Sequence, residues 1–321
     1  MARPAGSVSP HLDKDQQEQA AQHAAPQALV IHEVVRDEGE NELQRRSSAV
    51  AWSGLAAGLS MGFSFLVLAI VQSLLPATPW SRLIFAGGYT VGFVITILGR
   101  QELYTESTLT AMLPLLVNRN VSTLVALLRF WAVVLAANLV GTSLFAGLLS
   151  IHGLFADSVT ATLSKVALEA VQGEALPTFL KSILAGWLIA LMAWMLPSAK
   201  AARLFVILMI TYVVAVANLP HVVAGSVEAA YAVFNAGASL HDYCIGFLLP
   251  ILAGNTLGGV ALVAILNHAP LSPELQKDGG SSEPTSRGER QVEGGRASRP
   301  APKPVRAPTV PPARRRRKET S

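Results

Sequence analysis

Leu98-Gly99-Arg100-Gln101-Glu102-Leu103-Tyr104-Thr105-Glu106 interrupts an otherwise apolar stretch, residues 83–117, that is long enough to cross a bilayer. Backbone that is not helical persists at membrane depth only where protein or enclosed water satisfies its amides and carbonyls. Charged side chains at such a break are costly, and function is the usual reason for them. The stretch therefore predicts a broken span whose break faces a pore.

The rest of the chain fits that setting. Apolar residues make up 51% of the 321 and charged ones 14%, and the apolar residues fall in long blocks, the pattern of an integral membrane protein. The first block, residues 49–75, exceeds the roughly 20 residues a spanning helix needs and lacks the short core of a cleaved leader, so it reads as a permanent span. The single cysteine, Cys244, excludes an internal disulfide and a cysteine-rich metal site. No nucleotide-binding loop, catalytic triad or metal cluster is visible, so neither enzymatic activity, a cofactor nor a nucleic-acid partner is expected. The net charge of +4 comes from the last tail, which ends in Arg314-Arg315-Arg316-Arg317-Lys318.

Six crossings are predicted, at about 49–75, 83–117, 123–151, 176–197, 203–236 and 243–267. The second and fifth are too long for one tilted helix, and the fifth carries Asn218-Leu219-Pro220-His221 near its middle. Pro220 lacks an amide hydrogen and disfavours helix before it. Arg45 and Arg46, Arg119, Lys200 and Arg203, and the basic tail all fall on one side, which the distribution of positive charge assigns to the cytoplasm, together with both termini. Each half places its broken span second and follows it with Asn-x-x-Gly: Asn138-Leu139-Val140-Gly141 and Asn255-Thr256-Leu257-Gly258. Glu102 precedes Asn138 by 36 positions and His221 precedes Asn255 by 34. Three spans per half force an inverted repeat, whose paired broken helices point to a permeation site.

Helices resuming near Thr105 and Val222 would bury their amino ends, with free amides and partial positive charge, at mid-membrane, where they favour a small anion. His221 is the one histidine of seven inside a span; an imidazole there either donates to an anion, lends it a proton, or is satisfied by a neighbouring carbonyl. Glu102, Glu106 and Glu228 are the expensive carboxylates, which must face the interior, be paired, or be protonated. Glu102 reads as support for the break; Glu106 and Glu228 read as proton-handling groups. Gly54, Gly58, Gly62, Gly141, Gly147, Gly254, Gly258 and Gly259 read as close helix-packing positions.

Across residues 47–268 the chain resembles the formate/nitrite transporter family. The likeness rests on Leu98-Gly99 with Glu102-Leu103-Tyr104-Thr105, on Asn138-Leu139-Val140-Gly141, on the break at His221, and on Gly254-Asn255-Thr256-Leu257-Gly258-Gly259. It implies an aquaporin-like six-helix protomer, a homopentamer with one pore per protomer in a bacterial inner membrane, and transport of small monovalent anions such as formate or nitrite. The family's pore histidine falls on His221, its loop threonine on Thr105, and its last-span asparagine on Asn255; Leu103 and Val222 or Val223 are the expected apolar constrictions. Glu106 stands where the family has a small residue and Gly225 where it has Asn, and Lys165 is the nearest match to its vestibule lysine. The Glu-Leu-Tyr-Thr-Glu run places the chain near a less characterised inner-membrane branch.

Three segments are thus expected: a largely disordered cytoplasmic tail at 1–46, with Glu38 to Arg46 extending span one as a short amphipathic helix; an all-α membrane domain at 47–268; and a disordered basic tail at 269–321 whose end meets anionic lipid or serves only topology. The function expected is a channel or proton-coupled transporter for a small monovalent anion. The alternatives are a pore for a neutral solute or undissociated weak acid, and a membrane scaffold or sensor.

Overall fold

The computed structural model describes residues 12–17, 27–265 and 269, and every regular element among them is helical. His11, His23, His268 and the basic tail from 270 onward lie outside the described residues. Helix α1 spans Ala28–Gln44, α2 Ser47–Leu74, α3 Ser81–Leu98, α4 Tyr104–Thr110, α5 Met112–Asn118 and α6 Val121–Leu149. Then come α7, Asp157–Val171; α8, Ala175–Met195; α9, Arg203–Val216; and α10, Val222–Asn235. The last stretch is π-helical over Asp242–Leu248, α-helical over Leu249–Leu257 (α11), and π-helical again over Gly258–Ile265.

Among the described residues, five segments are long and apolar enough to cross a membrane: α2, α3, α6, α8 and the run Asp242–Ala261. Helices α9 and α10 hold 14 residues each and fall short of a span singly. Between α3 and α4, and again between α9 and α10, the chain makes the same turn. Arg100 and Asn218 take the left-handed conformation, with φ of 53° and 52°. One residue later the Gln101 amide reaches back to the Thr96 carbonyl and the Leu219 amide to that of Val214, each at 3.0 Å. Two further residues lie outside helix before it resumes, and Leu103 and His221, both extended, stand at the amino ends of the new helices.

Close approach of small residues sets the packing. The carbonyl of Leu55 lies 2.5 Å from where a Cβ on Gly141 would sit, and a Cβ on Gly254 would meet the Phe179 carbonyl at 2.6 Å. Gly147 departs from the packing role read for it, since nothing lies within 4 Å of its would-be Cβ. Segment 157–171, expected only as a long connection, is helix α7; its Leu163 and Ala167 are buried against α10 and α2 because they share one helix face.

The amino-terminal region also differs from expectation. The helix that leads into Arg45 begins at Ala28 rather than near Glu38, and extended Arg45 and Arg46 separate it from α2 instead of joining the two. Burial explains the added length: His32, Val35, Gly39 and Leu43 form one face, and helices this short need tertiary packing to persist. His32 packs edge-on against Trp194, with ring centroids 6.3 Å apart.

Neighbouring glycines on α3 test the packing. A Cβ at Gly88 would lie 2.7 Å from the Leu68 nitrogen, whereas one at Gly87 meets nothing within 4 Å. Thermal unfolding in detergent is expected to show Gly88→Ala destabilised by about 1–3 kcal/mol through overpacking. Gly87→Ala should be neutral or slightly stabilised, by up to about 1 kcal/mol of helix propensity. Equal effects would refute the close contact.

Candidate functional site

Two buried asparagines hold the two breaks in the same way. On α6, Asn138 Nδ2 donates to the Gly54 carbonyl at 2.7 Å and the Glu102 carbonyl at 2.9 Å, while its Oδ1 accepts from the Tyr104 amide at 3.0 Å. On α11, Asn255 Nδ2 donates to the Ser182 carbonyl at 2.7 Å and the Pro220 carbonyl at 3.1 Å, and its Oδ1 accepts from the Val222 amide at 2.8 Å. Each asparagine thus ties an extended break to the first amide of the following helix and to a neighbouring span. Every polar atom of both side chains is engaged by backbone, so Asn255 positions the break rather than facing either cavity. The shared pattern pairs Glu102 with Pro220, Leu103 with His221, and Tyr104 with Val222. Spacing counted from Glu102 is therefore one residue out of register.

His221 is buried and caps α10 with its own ring, Nδ1 accepting from the Ala224 amide at 3.2 Å. A nitrogen that accepts from an N–H carries no proton, so the neutral ring is the tautomer with hydrogen on Nε2. That nitrogen lies 2.7 Å from Thr105 Oγ1 and donates to it. The Thr105 hydroxyl hydrogen is then available to another acceptor. Phe93, on α3, sets its ring edge-to-face against the imidazole, with centroids 5.0 Å apart. Sequence reasoning missed Phe93, although it stands ten residues before Leu103 on the same apolar run.

One cavity reaches His221 and another reaches the residues that flank Thr105. One of about 430 Å³ is lined by His221, Gly225, Glu228, Tyr89 and Phe247, with Arg82, Lys181, Glu169 and Glu174 also on its wall. Another, of about 260 Å³, is lined by Leu103, Glu102, Glu106, Glu38, Glu42 and Arg45, among others. They share no lining residue. Glu228 and Glu106 therefore open into different cavities, while Val222 and Val223 are buried and line neither. Lys165 is exposed and absent from the larger cavity, where Arg82 and Lys181 supply the cations.

Charges at the smaller cavity fasten α1 over the break. Arg45 forms an ion pair with the buried Glu102 carboxylate, and the Thr110 hydroxyl donates to Glu42 at 2.7 Å. Arg129 reaches from α6 to the Leu43 carbonyl at 2.7 Å. Burial, and next the Glu102 carboxylate, push the Glu42 carboxyl well above its ordinary range, with the Thr110 hydroxyl opposing them. Glu102 thus has an ion-pair partner in addition to its backbone role. Its amide donates to Ser53 Oγ at 3.1 Å.

Comparison with known proteins places this arrangement. Residues 29–269 match the family model described as formate/nitrite transporter. An inner membrane protein of Escherichia coli (strain K12), YfdC, is 40% identical over 248 residues, covering 77% of this chain and 80% of that protein. Among solved structures, a pentameric formate channel with formate bound superposes with a TM-score of 0.61 at 17% identity, covering 70% of this chain and 98% of that one. An FNT family ion channel does so with a TM-score of 0.59 at 23% identity, covering 76% and 96%.

Removing either asparagine strands two carbonyls and one amide at a buried break, and each unsatisfied group costs about 1–3 kcal/mol. Asn138→Ala and Asn255→Ala are each expected to lose roughly 3 kcal/mol or more of stability. Denaturant unfolding in detergent measures it, and a loss confined to one of the two would refute their equivalent roles.

Proposed function

The chain belongs to the formate/nitrite transporter family, and on that premise we propose that it moves a small monovalent anion of the formate or nitrite kind across a bacterial inner membrane. The protomer crosses six times, with its second and fifth crossings broken and the two halves related as an aquaporin-like inverted repeat. Both termini are cytoplasmic, as the Lys and Arg distribution supports. It assembles as a homopentamer with one pore per protomer. The family domain starts near residue 29 and takes in α1, leaving the basic carboxy-terminal tail outside it.

One observation carries the reading: the hydrogen bond from His221 Nε2 to Thr105 Oγ1, 2.7 Å long, which joins the starts of α4 and α10 between two separate cavities. Cargo reaching this pair meets the Thr105 hydroxyl as a donor, held in place by the imidazole behind it. Leu103, Phe93 and the buried valines around the pair exclude water, which strengthens such a bond relative to bulk solvent. Glu228 and Glu106, one in each cavity, exchange protons with the cargo or its water before and after the constriction.

A second reading has its own support. Carboxylates outnumber cations at the smaller cavity, where Glu38, Glu42, Glu102 and Glu106 face Arg45 and Arg100. Ionised, they repel a bare anion, so passage as the undissociated acid is the alternative form of the same transport.

Proteoliposomes carrying the protein, scanned over pH with formate, nitrite, acetate and chloride, separate these readings. Proton-linked uptake of one anion is expected; flux that tracks only the undissociated fraction and ignores membrane potential selects the neutral form. His221→Phe is expected to cut flux about tenfold or more, because the Thr105 hydroxyl loses the partner that holds it toward the cargo and a hydrogen bond to a charged group contributes about 1.5–3 kcal/mol. Unchanged flux in that variant removes the histidine from the mechanism.

A further inference from the structure

Residues 221, 225 and 228 fall on one face of α10, at the spacing of successive turns. The amide of Gly225 bonds to the His221 carbonyl at 2.9 Å, so the glycine sits one turn beyond the imidazole. The space that a side chain at 225 would fill is already taken. A Cβ there would lie 2.6 Å from Cζ and 2.9 Å from Cε2 of Phe247, the two atoms at the tip of the ring. Phe247 is 2% exposed, yet it lines the same cavity as His221, Gly225 and Glu228.

The backbone that carries this ring is unusual. Phe247 belongs to the π-helical stretch Asp242–Leu248, and π turns are rare, re-aim the side chains they carry, and recur at functional sites. Tyr243, four residues earlier, backs the ring with centroids 6.1 Å apart. The phenyl tip is thus packed against Tyr243 and set against bare backbone at Gly225, which lies along the chain between His221 and Glu228.

We propose that Phe247, seated end-on against Gly225, is the specificity-determining residue of the pathway: an apolar stop one turn from His221 that passes solutes of formate's size and rejects carboxylates with a longer carbon chain. The proposal rests on the transport reading above and adds the size limit to it. An aromatic edge offers no hydrogen bond, so a hydrated ion loses water on passing it, and the ring leaves an added methyl group no free volume beside the glycine. Enlarging residue 225 and shrinking residue 247 therefore act in opposite directions on one gap.

Fluxes of formate, acetate and propionate into proteoliposomes test this with the parent protein, Phe247→Ala, Phe247→Leu, Gly225→Ala and the double variant Gly225→Ala with Phe247→Leu. Phe247→Ala is expected to raise the acetate-to-formate flux ratio about tenfold or more, the discrimination one methyl group provides in an apolar pocket. Phe247→Leu should raise it less. Gly225→Ala should lower all three fluxes by driving the ring into the cavity, and the double variant should recover formate flux. Should Phe247→Ala fail to fold, Phe247→Leu and the Gly225 pair decide the matter, because both keep apolar bulk at the site. A parent that carries formate while neither Phe247 variant shifts the ratio overturns the size limit alone. A parent that carries none of the three overturns the size limit, and one that fails to carry nitrite as well overturns the transport reading with it.

Discussion

Everything at the centre of this protein depends on satisfying backbone where two helices stop inside an apolar environment. An amide or carbonyl left unpaired there costs several kcal/mol, and water is not at hand to repair it. Asn138 and Asn255 meet that constraint with three hydrogen bonds each, taking up the carbonyl before each break residue and the amide after it. Because those groups are settled, Leu103 and His221 are held extended at the starts of α4 and α10, and their side chains are fixed where the two chain segments meet. The His221–Thr105 contact is a consequence of that placement.

The outer features read as elaborations of the same core. Helix α1 is tied down through Arg45 to Glu102 and through Glu42 to Thr110, so the amino-terminal helix is fastened to the break and to the short helix that follows it. On the other side, the π-helical turn brings Phe247 against Gly225 and narrows the larger cavity near the imidazole. The departures from the family pattern at 106 and 225 acquire physical meaning: Glu106 adds a carboxyl to one cavity, and the room lost at 225 is taken by an aromatic ring from another element.

Much of this was legible in sequence because membrane burial writes itself into composition. Long apolar runs mark helices, and Asn-x-x-Gly after an interrupted run marks the repeat, but that Asn138 and Asn255 support the breaks emerges only from their hydrogen bonds. What escaped depended on contacts between distant residues. Nothing near Phe247 in sequence signals Gly225, and no local pattern separates Gly147, which faces open space, from Gly141, which meets a carbonyl. The one-residue shift that pairs His221 with Leu103 rather than Glu102 was hidden because the two halves differ by one residue between break and asparagine. Lys165 is the nearest lysine in sequence, whereas Arg82 and Lys181, on two different helices, reach the cavity.

On the reading proposed above, the Thr105–His221 pair divides the pathway into two compartments. Sided thiol labelling tests it directly, in a background with exposed Cys244 replaced by serine, using Glu228→Cys and Glu106→Cys in vesicles of both orientations and a membrane-impermeant maleimide. Glu228→Cys is expected to react only from the periplasmic side and Glu106→Cys only from the cytoplasmic side. Reaction of both from one side would contradict it.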